Sequence, residues 1–157
     1  MLVEVKIDLV TIDELDRKII STLQMDGRIS FSRLAKSLKV SESTIYLRIK
    51  KLRDNGILRG FTVDIDHRKL GKDTIAYVFV KTAPRQHQRA TKIIQNIEEI
   101  YEIYEITGEY QLLLKIITES RRKLSEIVRR IRRVDGVREI YVTLVLETYK
   151  EEKTIRI

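Results

Sequence analysis

The chain contains no cysteine and no tryptophan, and it has only one proline among 157 residues. The lack of cysteine excludes disulfide bonds and metal sites built on thiolates. No apolar run approaches the roughly 20 residues that are needed to cross a bilayer, and the N-terminal segment lacks the basic start and continuous apolar core of a signal peptide. These absences predict a cytoplasmic protein without a membrane partner.

The chain has fewer acidic than basic residues. Its 31 Lys and Arg residues and 23 Asp and Glu residues give a net charge of +8. Such an excess favours a polyanionic partner, although many basic proteins bind no nucleic acid. Hydrophobic residues make up 43% of the chain, which is enough for a packed core. The length fits one domain or two small ones.

Near the N-terminus, apolar and charged side chains alternate from Val3 to Leu9. A period of two predicts a half-buried strand, which would form an N-terminal extension over residues 1–10. A frayed tail is the alternative. If the strand forms, we expect it to pair with an exposed sheet edge, for example across a dimer.

Three capped helices are predicted over residues 11–60. Thr11 and Glu14 have the spacing of a capping box, and Ser30 and Ser41 each stand where a helix N-cap is expected. Asn55 and Gly56 provide a C-cap for the third helix. The apolar residues at helical spacing are Leu15, Ile19, Ile20 and Leu23, then Phe31, Leu34, Ala35 and Leu38, then Ile45, Ile49 and Leu52.

The pattern changes to that of an α+β domain after residue 60. A linker over residues 61–73 includes a short strand at Phe61–Ile65, and residues 74–157 read as β-α-β-β-α-β, the ferredoxin-like order. The predicted elements are a strand at Thr74–Thr82, a helix from Pro84 to about Ile100, strands at Tyr101–Thr107 and Tyr110–Thr118, a helix at Ser120–Arg133 and strands at Val137–Tyr149 and Thr154–Ile157. Two helices cover one face of such a sheet, so a homodimer is expected to cover the other.

The segment Arg28–Gly56 has the outline of a helix-turn-helix, with two short helices, a tight turn and a basic second helix. With Ile45, Ile49 and Leu52 buried, the second helix presents Glu42, Ser43, Tyr46, Leu47, Lys50 and Arg53 to solvent, flanked by Thr44, Arg48 and Lys51. An ordinary solvated helix face is the alternative. The short turn and the capped neighbours favour a recognition helix that enters the major groove of DNA.

Several motifs together resemble the Lrp/AsnC (feast/famine) family of transcriptional regulators. They are Asp-Gly-Arg-Ile-Ser at 26–30, Leu-Ala at 34–35, Ser-x-x-Thr-Ile-x-x-Arg-Ile-x-x-Leu at 41–52 and Gly-Ile-Leu-Arg-Gly at 56–60. The resemblance covers nearly the whole chain. It implies an α+β fold, with an N-terminal helix-turn-helix (winged-helix-like) domain and a C-terminal ferredoxin-like βαββαβ domain for effector binding and oligomerisation.

The resemblance further implies a homodimer, assembled into higher oligomers such as octamers, that reads a pseudo-palindromic operator in double-stranded DNA. Carried over position by position, the expected DNA contacts are Ser43, Thr44, Tyr46, Leu47, Arg48 and Lys50, with Ser32 and Arg28 on the DNA backbone. Arg48 lies near the buried stripe, so it is also expected to orient its neighbours.

An amino-acid effector is implied by the same resemblance, at the predicted hairpin. The matching residues are Thr107, Gly108, Tyr110 and Gln111. Gly108 would let a ligand approach the backbone closely. The sequence departs from the family at Gln111, where many members have Asp. A tight turn that needs glycine is the alternative reading.

The helix Ser120–Arg133 carries seven basic residues and one acidic residue, Glu126. A solvated face is the usual interpretation of such a helix. The alternative is a surface for DNA phosphates, against which assembled dimers would wrap DNA.

No catalytic pattern surrounds His67 or His87, and the sequence contains no phosphate-binding glycine loop, metal-spaced cluster or paired catalytic carboxylates. We therefore expect no enzymatic activity and no cofactor. The competing hypothesis is a small-molecule-sensing or assembly module with weak or lost DNA binding. Salt-dependent retention on DNA distinguishes the two.

Overall fold

The computed structural model describes residues 10–157, so the strand predicted at Val3–Leu9 lies outside the described residues. The chain divides into two compact units. One contains the residues up to Asp64 together with Glu151–Ile157, and the other contains Ile65–Lys150. Within the described residues, no helix is long and apolar enough to span a bilayer.

The first unit contains three helices, α1 (Glu14–Met25), α2 (Phe31–Leu38) and α3 (Glu42–Asp54). Ser30 and Ser41 cap α2 and α3, as predicted. The capping box predicted at Thr11 is wrong. The N-cap of α1 is Asp13, whose Oδ1 accepts a hydrogen bond from the Asp16 backbone N–H at 2.9 Å, while Asp16 Oδ2 accepts from the Asp13 backbone N–H at 3.3 Å. A carboxylate makes these bonds more strongly than a hydroxyl.

One apolar core holds these three helices together. Its buried members are Ile19, Leu23, Leu34, Ala35, Ile45, Ile49 and Leu52, all of them predicted from helical spacing. Phe31 and Leu38 are half-buried at its margin. Each helix has 13 residues or fewer. Because isolated helices of that length are marginal in water, this shared core is what stabilises them.

The segment that follows α3 is irregular. The strand predicted at Phe61–Ile65 is wrong, because no residue of this segment is in a strand in the described chain. A strand is defined by a partner backbone, and apolar alternation alone supplies none. A single 3-10 turn, His67–Leu70, capped by Asp66, precedes the second unit's sheet.

The second unit contains a four-stranded antiparallel sheet and two helices in the order βαββαβ. Its elements are β1 (Thr74–Thr82), α4 (His87–Ile94), β2 (Ile100–Glu105), β3 (Leu112–Thr118), α5 (Arg121–Arg132) and β4 (Val137–Leu144). The strand order β2-β3-β1-β4 is that of the ferredoxin-like fold. The predicted fold class is confirmed.

The two faces of this sheet differ in their environment. Ala76, Val78 and Val80 of β1 alternate inward and share a core with Ile94 of α4 and Ile127 of α5. The opposite face, which we call the open face, carries side chains of the other parity. They include Ile75, Tyr77 and Phe79 on β1, Leu113 and Ile117 on β3, and Tyr141 on β4, where Phe79 pairs across the strands with both Leu113 and Tyr141.

Two of the predicted elements are much shorter in the structure. The helix placed at Pro84 begins at His87 and ends at Ile94, because residues 84–86 form a turn closed by a 2.9 Å bond from the Gln86 backbone N–H to the Ala83 carbonyl. The long strand predicted to Tyr149 ends at Leu144.

Strand β4 ends near the start of its partner β1, and the bond from the Val145 N–H to the Ile75 carbonyl is the last along that edge. The strand predicted at Thr154–Ile157 is also wrong. The backbone of Ile155 bonds instead to the side-chain amide of Gln24 on α1, at 2.7 and 3.0 Å.

Candidate nucleic-acid interface and hairpin

The turn between α2 and α3 is tight because one residue adopts a left-handed conformation. Lys39 has φ +56° and ψ +42°, and the Val40 backbone N–H bonds back to the Ala35 carbonyl at 3.0 Å. This αL cap ends α2 abruptly. Ser41 then starts α3 two residues later, which gives the two-helix geometry of a helix-turn-helix.

The N-terminal turn of α3 carries a cluster of hydroxyl groups. Ser41 Oγ lies 2.8 Å from Ser43 Oγ and 2.7 Å from Thr44 Oγ1, and it accepts a bond from the Thr44 backbone N–H at 3.1 Å. The cluster orders these side chains at the end of the helix where the macrodipole favours anions. Ser43 is exposed and Thr44 is half-buried.

Large apolar side chains are exposed in the middle of α3. Tyr46 is 56% and Leu47 63% exposed, while Ile45 and Ile49 on the opposite side are buried. Lys50 is exposed beside them and has no carboxylate partner among the described residues. Together, the hydroxyls, two apolar groups and a lysine provide what is needed to contact base edges, thymine methyl groups and phosphates.

Arg48 has a different environment from these residues. Its Nη1 donates to Asp16 Oδ1 at 3.2 Å and makes a close ion pair with Asp13 Oδ2, so the guanidinium joins α3 to the N-terminus of α1. The Asp16 backbone N–H and then the Arg48 guanidinium hold the pKa of Asp13 below its usual value. The same carboxylates raise the pKa of Arg48.

Sequence reasoning missed Asp13 and Asp16 as partners of Arg48. Asp16 is fully buried, with Lys51 Nζ as a second cation at 3.9 Å. The available signal was an acidic residue at a helix position between Leu15 and Ile19, on the buried side of α1. A charged residue at such a position requires a partner of opposite charge.

The two predicted backbone contacts precede α3 in the chain. Arg28 is exposed, and its backbone N–H donates to Asp26 Oδ1 at 3.0 Å in the turn after α1. Ser32 is half-buried in the first turn of α2.

The hairpin between β2 and β3 brings together the four residues predicted for an effector. It is closed by a bond from the Ile106 N–H to the Gln111 carbonyl at 2.9 Å. Gly108 has φ +114°, a conformation that L side chains rarely adopt, and open space lies where a Cβ would stand. Thr107 and Gly108 are exposed, and Tyr110 and Gln111 are half-buried.

The side-chain amide of Gln111 is occupied by the backbone. Its Oε1 accepts from the Thr82 N–H at 3.0 Å, and its Nε2 donates to the Glu109 carbonyl at 3.2 Å. The pairing of β1 with β4 shifts register between Lys81 and Thr82. Gln111 therefore satisfies a backbone donor at this irregularity. An aspartate could accept that bond but could not donate the second one.

A charged network lies beside the hairpin and was also missed. Lys81 Nζ is 3.1 Å from Glu109 Oε1 and 3.8 Å from Glu139 Oε2, and the Tyr110 hydroxyl donates to Glu139 Oε1 at 3.1 Å. The Glu109 carboxylate raises the pKa of Lys81. Burial and then the bond to Glu139 raise the pKa of Tyr110. The participating residues come from distant parts of the sequence, so only the sheet register reveals the network.

A helix-turn-helix unit with an exposed, hydroxyl- and lysine-bearing second helix, joined to a ferredoxin-like unit, defines a DNA-binding transcription regulator. Comparison with known families supports this class directly. Residues 12–53 match the AsnC-type helix-turn-helix domain, and residues 75–155 match the Lrp/AsnC ligand binding domain. The chain belongs to the Lrp/AsnC family of transcriptional regulators, a membership that points away from an enzyme.

Individual relatives agree with this assignment. An uncharacterised HTH-type transcriptional regulator of Pyrococcus furiosus is 38% identical over 141 residues, which cover 90% of this chain and 95% of that protein. The structure of Escherichia coli AsnC superposes with a TM-score of 0.89 at 27% identity, covering 94% of this chain and all of that one. The feast or famine regulatory protein of Mycobacterium tuberculosis, complexed with L-methionine, has a TM-score of 0.86 at 28% identity, with 94% and 100% coverage.

Proposed function

We propose that this protein reads a pseudo-palindromic operator by placing the N-terminal turns of α3 in the major groove. The observation that carries the proposal is the exposure of Tyr46 and Leu47 beside the exposed Lys50, on a helix that is otherwise firmly packed. A helix that needed only solubility would not expose two large apolar groups in its central turns. Leu47 and Tyr46 suit thymine methyl groups, and Lys50 suits a guanine edge or a phosphate.

Not every predicted contact has the same role in this proposal. Ser43, Thr44, Tyr46, Leu47 and Lys50 contact DNA directly. Arg28 and Ser32 contact the phosphate backbone. Arg48 acts mainly as a positioning residue, since its guanidinium is already paired with two carboxylates on α1 and its N-cap. This division of roles makes separate predictions for stability and for DNA affinity.

Homodimerisation through the open face completes the proposed regulator. Phe79, Tyr110 and Tyr141 form an aromatic cluster there, with ring centroids 5.9 to 6.5 Å apart. Tyr141 is 57% exposed. An aromatic patch on a sheet with helices on its other face is typical of a protein interface. A two-fold dimer would present two copies of α3 to successive half-sites, and assembly to an octamer would repeat that arrangement.

The hairpin is proposed to sense an amino acid. Lys81 offers a cation for an α-carboxylate, Glu109 and Glu139 offer anions for an α-ammonium group, and Gly108 leaves the backbone open to a ligand. In the structure these charged groups pair with one another. A bound zwitterion would exchange these ion pairs for its own. The complex of the Mycobacterium tuberculosis relative with L-methionine supports this ligand class.

The DNA proposal is tested by selecting duplexes from a random-sequence library with the full chain. Binding of the selected duplex is then measured by fluorescence anisotropy for the parent and for Lys50→Ala. We expect selection of a two-fold related sequence, and a loss of about 5-fold to 150-fold in affinity for Lys50→Ala, equivalent to about 1–3 kcal/mol. Failure to enrich any sequence, with retention on DNA insensitive to salt, would support the competing sensor or assembly module instead.

A further inference from the structure

Helix α5 presents an unusual arginine surface on the side that faces away from its sheet. Leu124, Ile127 and Ile131 are buried against the sheet core. At about 100° per residue, five arginines fall within an arc of about 120° on the side of the helix away from that apolar stripe. They are Arg121, Arg122, Arg129, Arg132 and the C-cap residue Arg133, and we call them the α5 arginine face. All five are exposed or half-exposed at the protein surface.

Few carboxylates neutralise this surface. Glu126 pairs with Arg122 at 3.6 Å. Glu99 pairs with two cations that lie beside the α5 arginine face, Lys123 at 3.7 Å and Arg130 at 3.2 Å. The other four members of the α5 arginine face have no carboxylate partner within the part of the chain that the structure describes. The ordinary interpretation, a solvated face balanced by i,i+4 ion pairs, therefore fits this helix poorly.

The charge in the first turn of α5 opposes the stability of the helix, whereas the cations Arg129, Arg130 and Arg132 in its last turn favour it. The first turn of α5 contains Arg121, Arg122 and Lys123 and no acidic residue. The N-terminus of a helix is the positive end of its macrodipole, so cations there are unfavourable. In α1 and α3 the first turn is acidic instead. Cations in the first turn of a helix are expected where a bound anion compensates them.

The arginine side chains of the α5 arginine face indicate which kind of anion binds there. Arginine binds phosphate oxygens through two parallel N–H donors, which lysine cannot do. The face is about 18 Å long at about 1.5 Å per residue, which exceeds the width of about 6 Å of the DNA minor groove and reaches phosphates on both sides of it. No large apolar side chain of α5 is exposed, so the helix lacks the residues that insert into a membrane surface.

From these observations we infer that the α5 arginine face is a second DNA-binding surface, which contacts phosphates independently of base sequence and outside the half-sites read by α3. The inference rests on the proposed function only in taking DNA as the ligand. This surface gives the regulator an affinity for DNA of any sequence. The number of phosphates that α5 contacts determines the strength of that affinity.

The test uses the full chain and two triple variants of equal charge. R121Q/R129Q/R132Q removes three members of the face. R85Q/R89Q/K92Q removes three cations from α4 and the turn before it, in the same unit, and serves as the matched control. Each protein is titrated onto a random-sequence duplex of roughly 150 base pairs, one persistence length, and onto the selected operator in a duplex of about 30 base pairs, three helical turns, over a range of salt concentrations.

We expect the α5 variant to lose about tenfold or more in affinity for the long duplex. The slope of log K against log salt should become shallower by roughly 2–3, because each phosphate that the protein neutralises contributes about 0.9 to that slope. The α4 control should change the long-duplex affinity by less than about twofold, and both variants should keep most of their affinity for the short operator. The melting temperature of the α5 variant should fall only slightly, because the variant loses one unfavourable charge from the first turn and two favourable charges from the last turn.

An equal loss in the two variants would show that only net charge matters and would overturn the inference. An unchanged salt slope in the α5 variant would do the same. A change in oligomer size by light scattering, with long-duplex affinity intact, would assign the face to an interface between chains instead. The random-sequence duplex needs no operator, so the α5 comparison can be read even if operator selection fails.

Discussion

The ion pairs of Arg48 separate the packing of α3 from its contact with DNA, and replacing Arg48 with Met tests that separation. Methionine keeps the apolar stem of the side chain and removes the guanidinium. The change deprives the fully buried Asp16 of its nearest cation, at 3.2 Å, and leaves Lys51 at 3.9 Å and the Asp13 backbone N–H at 3.3 Å.

The expected loss of stability follows from these remaining partners. Removing one member of a buried ion pair costs about 3–5 kcal/mol when the other charge is left uncompensated. Because Lys51 and a backbone donor remain beside Asp16, we expect a smaller cost of about 2 kcal/mol for Arg48→Met. For a domain of roughly 60–100 residues, a loss of about 2 kcal/mol lowers the melting temperature by roughly 8–16 °C. Urea and thermal unfolding followed by far-UV circular dichroism measure the change.

Two further variants make the test specific. Lys50→Met removes a cation from the exposed side of the same helix and should change the free energy of unfolding by less than about 0.5 kcal/mol. Asp16→Asn combined with Arg48→Met should be less destabilised than the sum of the single variants, with a coupling of about 1–3 kcal/mol. The reasoning is refuted if Arg48→Met unfolds like the parent and loses only DNA affinity, since Arg48 would then be a contact and not a positioning residue.

Acid should weaken the same junction. The folded protein holds the pKa of Asp13 below its ordinary value, chiefly through the Asp16 backbone N–H and then through Arg48. The ionised carboxylate therefore stabilises the fold at pH values above about 4, the ordinary pKa of Asp, and this contribution is lost as the pH falls through the lower pKa of the folded state. Asp13→Asn should flatten the decline in unfolding free energy below about pH 4, and an unchanged pH profile would contradict this role.

Three other predictions concern DNA reading, assembly and the hairpin. If Leu47 packs on thymine methyl groups, replacing the thymines of the selected operator with uracil should weaken binding by the parent severalfold and leave Leu47→Ala unaffected; equal losses would disprove the contact. Tyr141→Glu places a charge in the open-face cluster and should yield monomers by light scattering, whereas Tyr149→Glu, on a 90% exposed side chain, should not. Gln111→Ala leaves the Thr82 backbone donor unsatisfied and should cost about 1–2 kcal/mol in unfolding free energy; a neutral effect would show that this bond does not stabilise the fold.

The elements that could be predicted from sequence are those encoded by neighbouring residues. The caps at Ser30 and Ser41 depend on a side chain and a backbone N–H three residues apart, so each is visible in a short window. The strand Thr74–Thr82 was predicted with its observed bounds because its apolar content is high enough to indicate a strand without knowledge of its partners.

Several of the errors fall where a distant partner decides the outcome. Phe61–Ile65 has the composition of a strand but no strand partner in the described chain, and β4 ends at Leu144, near the start of its partner β1. The ion pair between Arg48 and Asp16 joins residues 32 positions apart. By hydrophobic spacing, Asp16 interrupts the apolar face of α1. In the structure, its buried carboxylate pairs with Arg48 and so joins α1 to α3.

The central claim, that α3 is the DNA-reading helix of a two-domain regulator, is tested most directly by protection of the selected operator from hydroxyl radicals and from methylation of guanine N7. With the parent chain we predict two protected major-groove segments one helical turn apart, about 10 base pairs centre to centre. In Lys50→Ala, protection should weaken at the same positions in both segments, while Lys36→Ala on α2 leaves it intact. Protection confined to the minor groove, or a footprint that Lys50→Ala leaves unchanged, would contradict the claim.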